Sequence, residues 1–379
     1  MSVPPPPPGS VPPPHGAPPG GRPGDYPDPG YPPFAWQQHP PSPKRGNGWK
    51  WVLGAVVLIA VIVVTAAVTL SVVGDRAESG NEPLTGASPS ASGVESSDIA
   101  SAGDTGPVAV ITEDPTCAAQ RPIFAAWGEK TKNGWENRDP SLPAEAWPPD
   151  LRRQYEDVAK ATREVADQLV QLAKLTPHRA MRELYLQFIA YARAYADNIP
   201  AYTAPTDELM SFAILAADAV ASICAAIDYG SAAARGPLVA PSSPPVHVAP
   251  VGDVAEPQRF LTELNPVCGD WREALTQFSR DTTAWRDIPS DIPASQWTPE
   301  QRAINDSVIP VMENLAAKSS ALGRRSENSV FQDFAELSAQ YRLAYVKAIP
   351  TYVPADNYLA TASVRLGAMI RTACQAAAG

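Results

Sequence analysis

Histidine is nearly missing from this chain, which has four in 379 residues: His15, His39, His178 and His247. None stands beside a second histidine, a cysteine or a carboxylate at metal-ligand spacing, so the pattern argues against zinc and non-haem iron centres. Also missing are a G-x-S-x-G elbow, an H-E-x-x-H helix, a Walker loop and a dinucleotide fingerprint. Glu156, Asp157, Glu164 and Asp167 fall on the solvated face of a helix, whereas paired catalytic carboxylates need a cleft. The sequence thus offers no catalytic motif and calls for no metal or cofactor. Positive charge is short too, with a net charge of −10. Because Arg22, Lys44, Arg45 and Lys50 outnumber Asp25 and Asp28 in residues 1–50, the remainder is more acidic still. Such a surface repels nucleic acid and anionic lipid headgroups.

What the chain does have is one long uncharged run, WVLGAVVLIAVIVVTAAVTLSVV, at residues 51–73. As a helix it measures about 34 Å, enough to cross a hydrocarbon core of about 30 Å. It exceeds the span of a cleaved leader, about 7–15 residues, and a long tail precedes it. Trp49, Lys50 and Trp51 stand where interfacial anchors belong. Lys44, Arg45 and Lys50 before the run, against Asp75, Arg76 and Glu78 after it, place the N-terminus in the cytoplasm. Residues 49–73 are therefore expected to anchor the protein in a lipid bilayer by a single pass.

Proline is abundant but unevenly placed, with 18 of its 43 residues in the first 43 positions. Residues 1–48 accordingly read as a disordered tail with local polyproline II structure, able to dock in a proline-binding cytoplasmic partner or to act as a spacer. Residues 74–115 read as a flexible acidic linker and residues 230–256 as a Pro-rich, semi-extended one. They bracket two segments, 116–229 and 257–379.

Sliding the sequence on itself by 150 residues aligns these two segments. Trp135 falls on Trp285, Pro143 on Pro293, Trp147 on Trp297, Tyr191 on Tyr341 and Tyr195 on Tyr345. Ile199, Pro200 and Tyr202 fall on Ile349, Pro350 and Tyr352. Cys224 meets Cys374, and Cys117 meets Cys268 after a one-residue slip. His178, by contrast, meets Asn328, which argues for a surface residue at a helix start over a member of a catalytic triad.

Each segment reads as helices. Leu151, Tyr155, Val158, Thr162, Val165, Leu169, Leu172 and Leu175 form one apolar stripe. Met181, Leu184, Tyr185, Phe188, Tyr191 and Tyr195 form the next; Leu209, Phe212, Ala216, Ala219, Val220 and Ile223 form the last. An earlier helix is expected at residues 118–137. Thr176-Pro177 and Thr298-Pro299 read as N-caps followed by proline at the first helical position, with Gln301 completing a capping box. Pro310 should kink or shorten its helix. The expected fold is all-α: a disordered tail, one transmembrane helix and two tandem four-helix-bundle-like repeats, each separately stable.

In an up-down-up-down bundle the start of the first helix and the end of the fourth lie together. That geometry pairs Cys117 with Cys224 and Cys268 with Cys374, as an even cysteine count on the exported side suggests. The matched residues Trp135, Trp147, Pro200 and Tyr202, with Trp285, Trp297, Pro350 and Tyr352, gather at the opposite end. They read either as a packed cap or as a paired aromatic binding surface at the membrane-distal end.

A Pro-rich cytoplasmic tail, one anchor and an Ala-rich exterior with more Arg than Lys resemble uncharacterised single-pass envelope proteins of mycobacteria and related actinobacteria. The resemblance implies the cell envelope as compartment and carries no site residues. The functional expectation is a non-catalytic, membrane-anchored envelope protein whose helical modules bind a protein or cell-wall partner. The alternative is an accessory subunit, or an enzyme, acting on envelope polymers. For the topology, a reporter active only outside the cytoplasm should work fused after Gly379 and fail at the N-terminus; the reverse pattern would sink the assignment.

Overall fold

The computed structural model describes residues 98–379. The tail, the run at 51–73 and its flanking Trp49, Lys50 and Trp51 lie outside the described residues. Within them the protein is all-helical, with no strand. The first half contains α1 (Cys117–Thr131), α2 (Pro149–Leu175), α3 (Arg179–Asn198) and α4 (Thr206–Asp228). A short α5 (Ser231–Arg235) follows. The second half contains α6 (Cys268–Asp281), the single turn α7 (Thr283–Arg286), α8 (Pro299–Arg325), α9 (Ser329–Ala348) and α10 (Asn357–Ala376).

Local chemistry accounts for most helix boundaries. Pro149 and Pro299 open α2 and α8 at the first turn, where the missing N–H costs nothing. Thr298 caps α8 as expected: its hydroxyl accepts from Gln301 N at 3.1 Å, and Gln301 Oε1 accepts from Thr298 N at 3.0 Å. Thr176 does not cap α3. It ends α2 instead, donating its hydroxyl to Asp114 Oδ2 at 2.5 Å, and His178 precedes α3. The first helix stops earlier than its pattern suggests. Gly134, at φ 101°, adopts a left-handed conformation open to glycine, and Trp135 then sits in a separate 3-10 turn, Trp135–Asn137. Nor does Pro310 shorten α8, which has the same 27 residues as α2. Pro310 is exposed, so water can solvate the carbonyl that its ring frees.

The disulfides are Cys117–Cys224 and Cys268–Cys374. Their sequence separations of 107 and 106 residues mean that each removes much denatured-state freedom, about 4.7 kcal/mol in the chain-entropy treatment.

The two halves share one hydrophobic core. α4 packs lengthwise on α10, and three contacts fix the direction. Glu208 near the start of α4 meets Gln375 near the end of α10; Asp218 meets Arg365 at mid-length, 3.3 Å apart; Tyr229 just past α4 stacks on Tyr358 at 5.2 Å. The helices are therefore antiparallel. α4 is long and apolar enough to cross a membrane by length and composition, but 61% of its most apolar window is buried inside the protein. A helix apolar on all sides is what a position between two bundles requires.

The segments leading into each half pack against both halves. Residues 98–115, expected as flexible linker, are packed, with Ile99, Val108 and Ile111 buried. The Tyr341 hydroxyl of the second half donates to Ile111 O at 3.3 Å, and the Tyr191 hydroxyl of the first half donates to Leu261 O at 3.3 Å. These segments showed no periodicity because irregular backbone pinned by side chains has none. This packing explains why α3 is buried on nearly every side instead of along one stripe.

Arg179, at 2% exposure, ties three elements together. Its guanidinium donates to Asp333 of α9 at 2.6 and 3.1 Å, and to the backbone oxygens of Asp104 at 2.7 Å and Gly106 at 3.2 Å. Removing one partner of such a buried pair typically costs about 3–5 kcal/mol. Beside it, Arg182 donates to Ser101 O and Oγ, both at 2.9 Å. Glu183 is buried in the same cluster. Burial and the charge of Asp333 push its carboxyl well above the usual range, against the pull of Arg182 and Arg179.

A carboxyl that holds its proton longer when folded gives stability that is complete below the unfolded pKa, about 4.3, and declines as pH rises toward the folded one. Glu183→Gln removes that decline. The melting temperature of the variant relative to the parent should therefore climb between pH 5 and pH 8; a constant offset would show that Glu183 is ionised in the folded protein.

Candidate functional site

In the first half the aromatic end is closed. The 3-10 turn Ala144–Ala146 delivers Trp147, whose indole N–H donates to Leu142 O at 2.9 Å and whose ring stacks on Tyr155 at 3.9 Å. Tyr202 lies against both rings, and its hydroxyl stands 3.1 Å from Asp207 Oδ1 and 3.2 Å from Pro140 O. Trp135 is fully buried and donates to the Tyr195 hydroxyl at 3.2 Å. Arg138 lies 3.5 Å above the Trp135 ring and grips Asp207 through two hydrogen bonds of 2.8 and 2.9 Å. Burial raises the pKa of Tyr202, and Asp207 adds to the effect, so the phenol stays neutral. Trp135, Tyr155, Tyr195 and Tyr202 are each at most 1% exposed.

The second half repeats the frame. Trp297 donates to Ile292 O at 2.9 Å, as Trp147 does to Leu142 O. Ala294 N donates to Tyr352 O at 2.9 Å, and Arg302 reaches Ala294 O at 2.7 Å. Trp297 lies nearly parallel to Tyr352 at 5.6 Å, and Trp285 meets Tyr345 edge-on at 5.7 Å. The filling differs. Asn305 stands where the first half has Tyr155, Ile288 where it has Arg138, and Asn357 where it has Asp207. A surface depression of about 340 Å³ lies at this end, bordered by Trp285, Arg286, Pro289, Ser290 and Asn357, with Trp297, Tyr345, Tyr352 and Asn305 buried behind it. Trp285 is only half-buried, unlike Trp135.

Pro200 and Pro350 are exposed at the start of 3-10 turns, Ile199–Ala201 and Ile349–Thr351, where their fixed φ suits the bend. Each set of four matched residues is brought together, but the two sets do not meet. Because α4 and α10 run antiparallel, the first aromatic end lies beside the end of α10 and the second lies beside Tyr229, so the single paired surface expected from the sequence does not form. Instead the second end is buttressed by α5, from the stretch read as linker. Arg235 grips Asp356, at 1% exposure, with bonds of 3.1 and 3.0 Å, and donates to Thr351 Oγ1 at 2.9 Å.

Sequence reasoning missed Tyr155 with Asn305, Arg138 with Asp207, and Arg235. The first could have been found as a large-to-small mismatch inside an otherwise matched aromatic set. Glu156, Asp157, Glu164 and Asp167 are exposed as read, with Glu164 paired to Lys130 and Asp167 to Arg193. His178 Nε2 lies 2.9 Å from Glu113 O, a structural contact. No group of histidine, cysteine or carboxylate residues able to hold a metal ion occurs among the described residues.

Trp147 and Trp297 are 6% and 8% exposed, which suits packing. Trp147→Ala should cost about 3–5 kcal/mol in denaturant unfolding, the range for a large buried aromatic. Trp297→Ala, at a site buried almost as deeply, should cost a similar amount. An unchanged midpoint for Trp147→Ala would overturn the packing role.

Residues 99–379 match the family described as mycobacterial ESX-1 associated protein. A protein of Mycolicibacterium smegmatis (strain MKD8), described as uncharacterised, is 57% identical over 348 residues, covering 92% of this chain and 91% of that one. No solved structure matches the chain. The whole described helical region thus falls within one family model, and the chain belongs to the mycobacterial ESX-1 associated protein family.

Proposed function

We propose that this chain is a non-catalytic, single-pass protein of the mycobacterial cell envelope whose exported helical region binds a protein partner in ESX-1 secretion. The observation that carries the reading is the contrast between the buried charges and the surface depression at the second aromatic end. The ionisable groups that converge, Arg179, Arg182, Glu183 and Asp333, do so inside the core, where they hold the halves together. The concave surface at the second aromatic end exposes part of Trp285, a side-chain type enriched in binding hot spots, beside Ile288, Pro289 and Asn357. The uncharged run at 51–73 suits an anchor, with residues 98–379 outside the cytoplasm. The family name supplies the secretion setting. The Pro-rich tail then faces the cytoplasm, free to engage a proline-binding partner or to act as a spacer.

Deleting the gene should lower the amount of ESX-1 substrates in culture filtrate, measured by immunoblot. The full chain should restore it, and a chain lacking residues 98–379 should not. Crosslinking in intact membranes should join the exported region to an ESX-1 component. Normal secretion by the deletion strain, with no such crosslink, would refute the proposal.

A further inference from the structure

Glu183 of α3 and Asp333 of α9 stand at matched positions of the two halves, 150 residues apart. Both are buried, so two carboxyl groups meet where the halves join. Asp333 is satisfied by Arg179, but no donor reaches either oxygen of Glu183. Two carboxylates offer only acceptors, so Glu183 can bond to Asp333 only while it carries a proton. Burial and the charge of Asp333 favour that proton, against the pull of Arg182 and Arg179. Asp104 completes the set, 3.5 Å from Arg179. Two guanidiniums therefore already face two carboxylates, and a charged Glu183 would be a third. Glu336, one turn further along α9, is turned to Ser320 and Arg324, and His178 before α3 is turned to Glu113 O. The neighbouring ends of α2 and α4 bring Leu172, Ala173 and Ile223, buried and apolar.

The same two guanidiniums hold the start of the folded chain. Arg182 donates to Ser101 O and Oγ at 2.9 Å, and Arg179 donates to Asp104 O at 2.7 Å and Gly106 O at 3.2 Å. We propose that residues 98–106 form a strap released by ionisation of Glu183, because the arginines that hold the strap are the donors a charged carboxylate there would recruit. Arg179 lies one turn before Glu183 on the same face of α3. Arg182 Nε has no partner, so that guanidinium can turn to Glu183, and in turning it leaves Ser101. The chain just beyond stays in place, since Val108 O and Ile111 O accept from Ser242 and Tyr341 of the other half. The strap is accordingly held at low pH and freed as pH rises, the sign required of a carboxyl that binds its proton more tightly when folded. Once freed and extended, residues 98–106 span at most about 30 Å. In the anchored protein proposed above, that length lets the helical region stand further from the bilayer; this consequence rests on the anchor, whereas the release does not.

Hydrogen exchange read by mass spectrometry on the purified full-length protein, with both disulfides intact, tests the release. Rates are corrected for the chemical effect of pH on exchange itself. Between about pH 5 and about pH 8 the strap, whose Ala100, Ala102 and Asp104 amides are hydrogen-bonded, should lose protection about tenfold, while peptides from α4 and α10 keep theirs. Glu183→Gln, which keeps the shape and cannot ionise, should hold the strap's protection constant, and Glu183→Met serves if that variant does not fold. His178→Asn should behave as the parent does. Protection that is constant with pH in the parent, or an equal loss in a folded Glu183 variant, would overturn the proposal. So would a loss in α4 and α10 in step with the strap, which would mean that the whole fold loosens, or a constant profile in His178→Asn, which would move the switch to that histidine.

Discussion

The close packing of α4 on α10 is the contact on which the rest of the described structure depends. Alanine dominates the buried positions of both helices, including Ala213, Ala216, Ala217 and Ala219 on one and Ala360, Ala362, Ala368 and Ala373 on the other. Small side chains let two backbones approach closely, and many dispersion contacts follow. Separating the halves would put the apolar faces of α4 and α10 in water. Once the two helices lie antiparallel, the placement of each aromatic end follows from geometry.

Charge then fixes what apolar packing leaves loose. A shared core of alanine and leucine specifies register weakly, whereas Arg179 has few arrangements that satisfy its donors. Its bonds to Asp333, Asp104 and Gly106 join α3, α9 and the first lead-in segment at one point. Glu183 lies in the same cluster, where burial and the charge of Asp333 push its carboxyl well above the usual range. Arg235 plays the corresponding part at the second aromatic end, where it neutralises buried Asp356 from a helix outside both sets of four.

Two halves with one frame and different fillings divide the work of the fold. The closed aromatic end of the first half contributes packing, with every indole and phenol of its cluster buried. The second end keeps the Trp297 indole bond and the Tyr352 carbonyl bond, lacks the Tyr155 ring, and leaves Trp285 half-buried.

How much of this was legible in the sequence depended on the range over which each signal acts. Helical periodicity, the Thr298 cap, the prolines opening α2 and α8, and the cysteine positions are local or topological signals, and they determined the all-helical class, the helix order and the disulfide partners. Internal similarity further marked the aromatic residues that gather at each bundle end. Periodicity, however, records only that a face is buried, never against what. That α4 would meet α10, that residues 98–115 would pack instead of linking, and that Arg235 would serve the second half are matters of surfaces far apart in sequence. The aromatic ends point apart because antiparallel helices reverse one half relative to the other, and Trp285 is left partly exposed where its counterpart Trp135 is buried. Tertiary structure alone decided those outcomes, since shape complementarity between distant helices has no local signature.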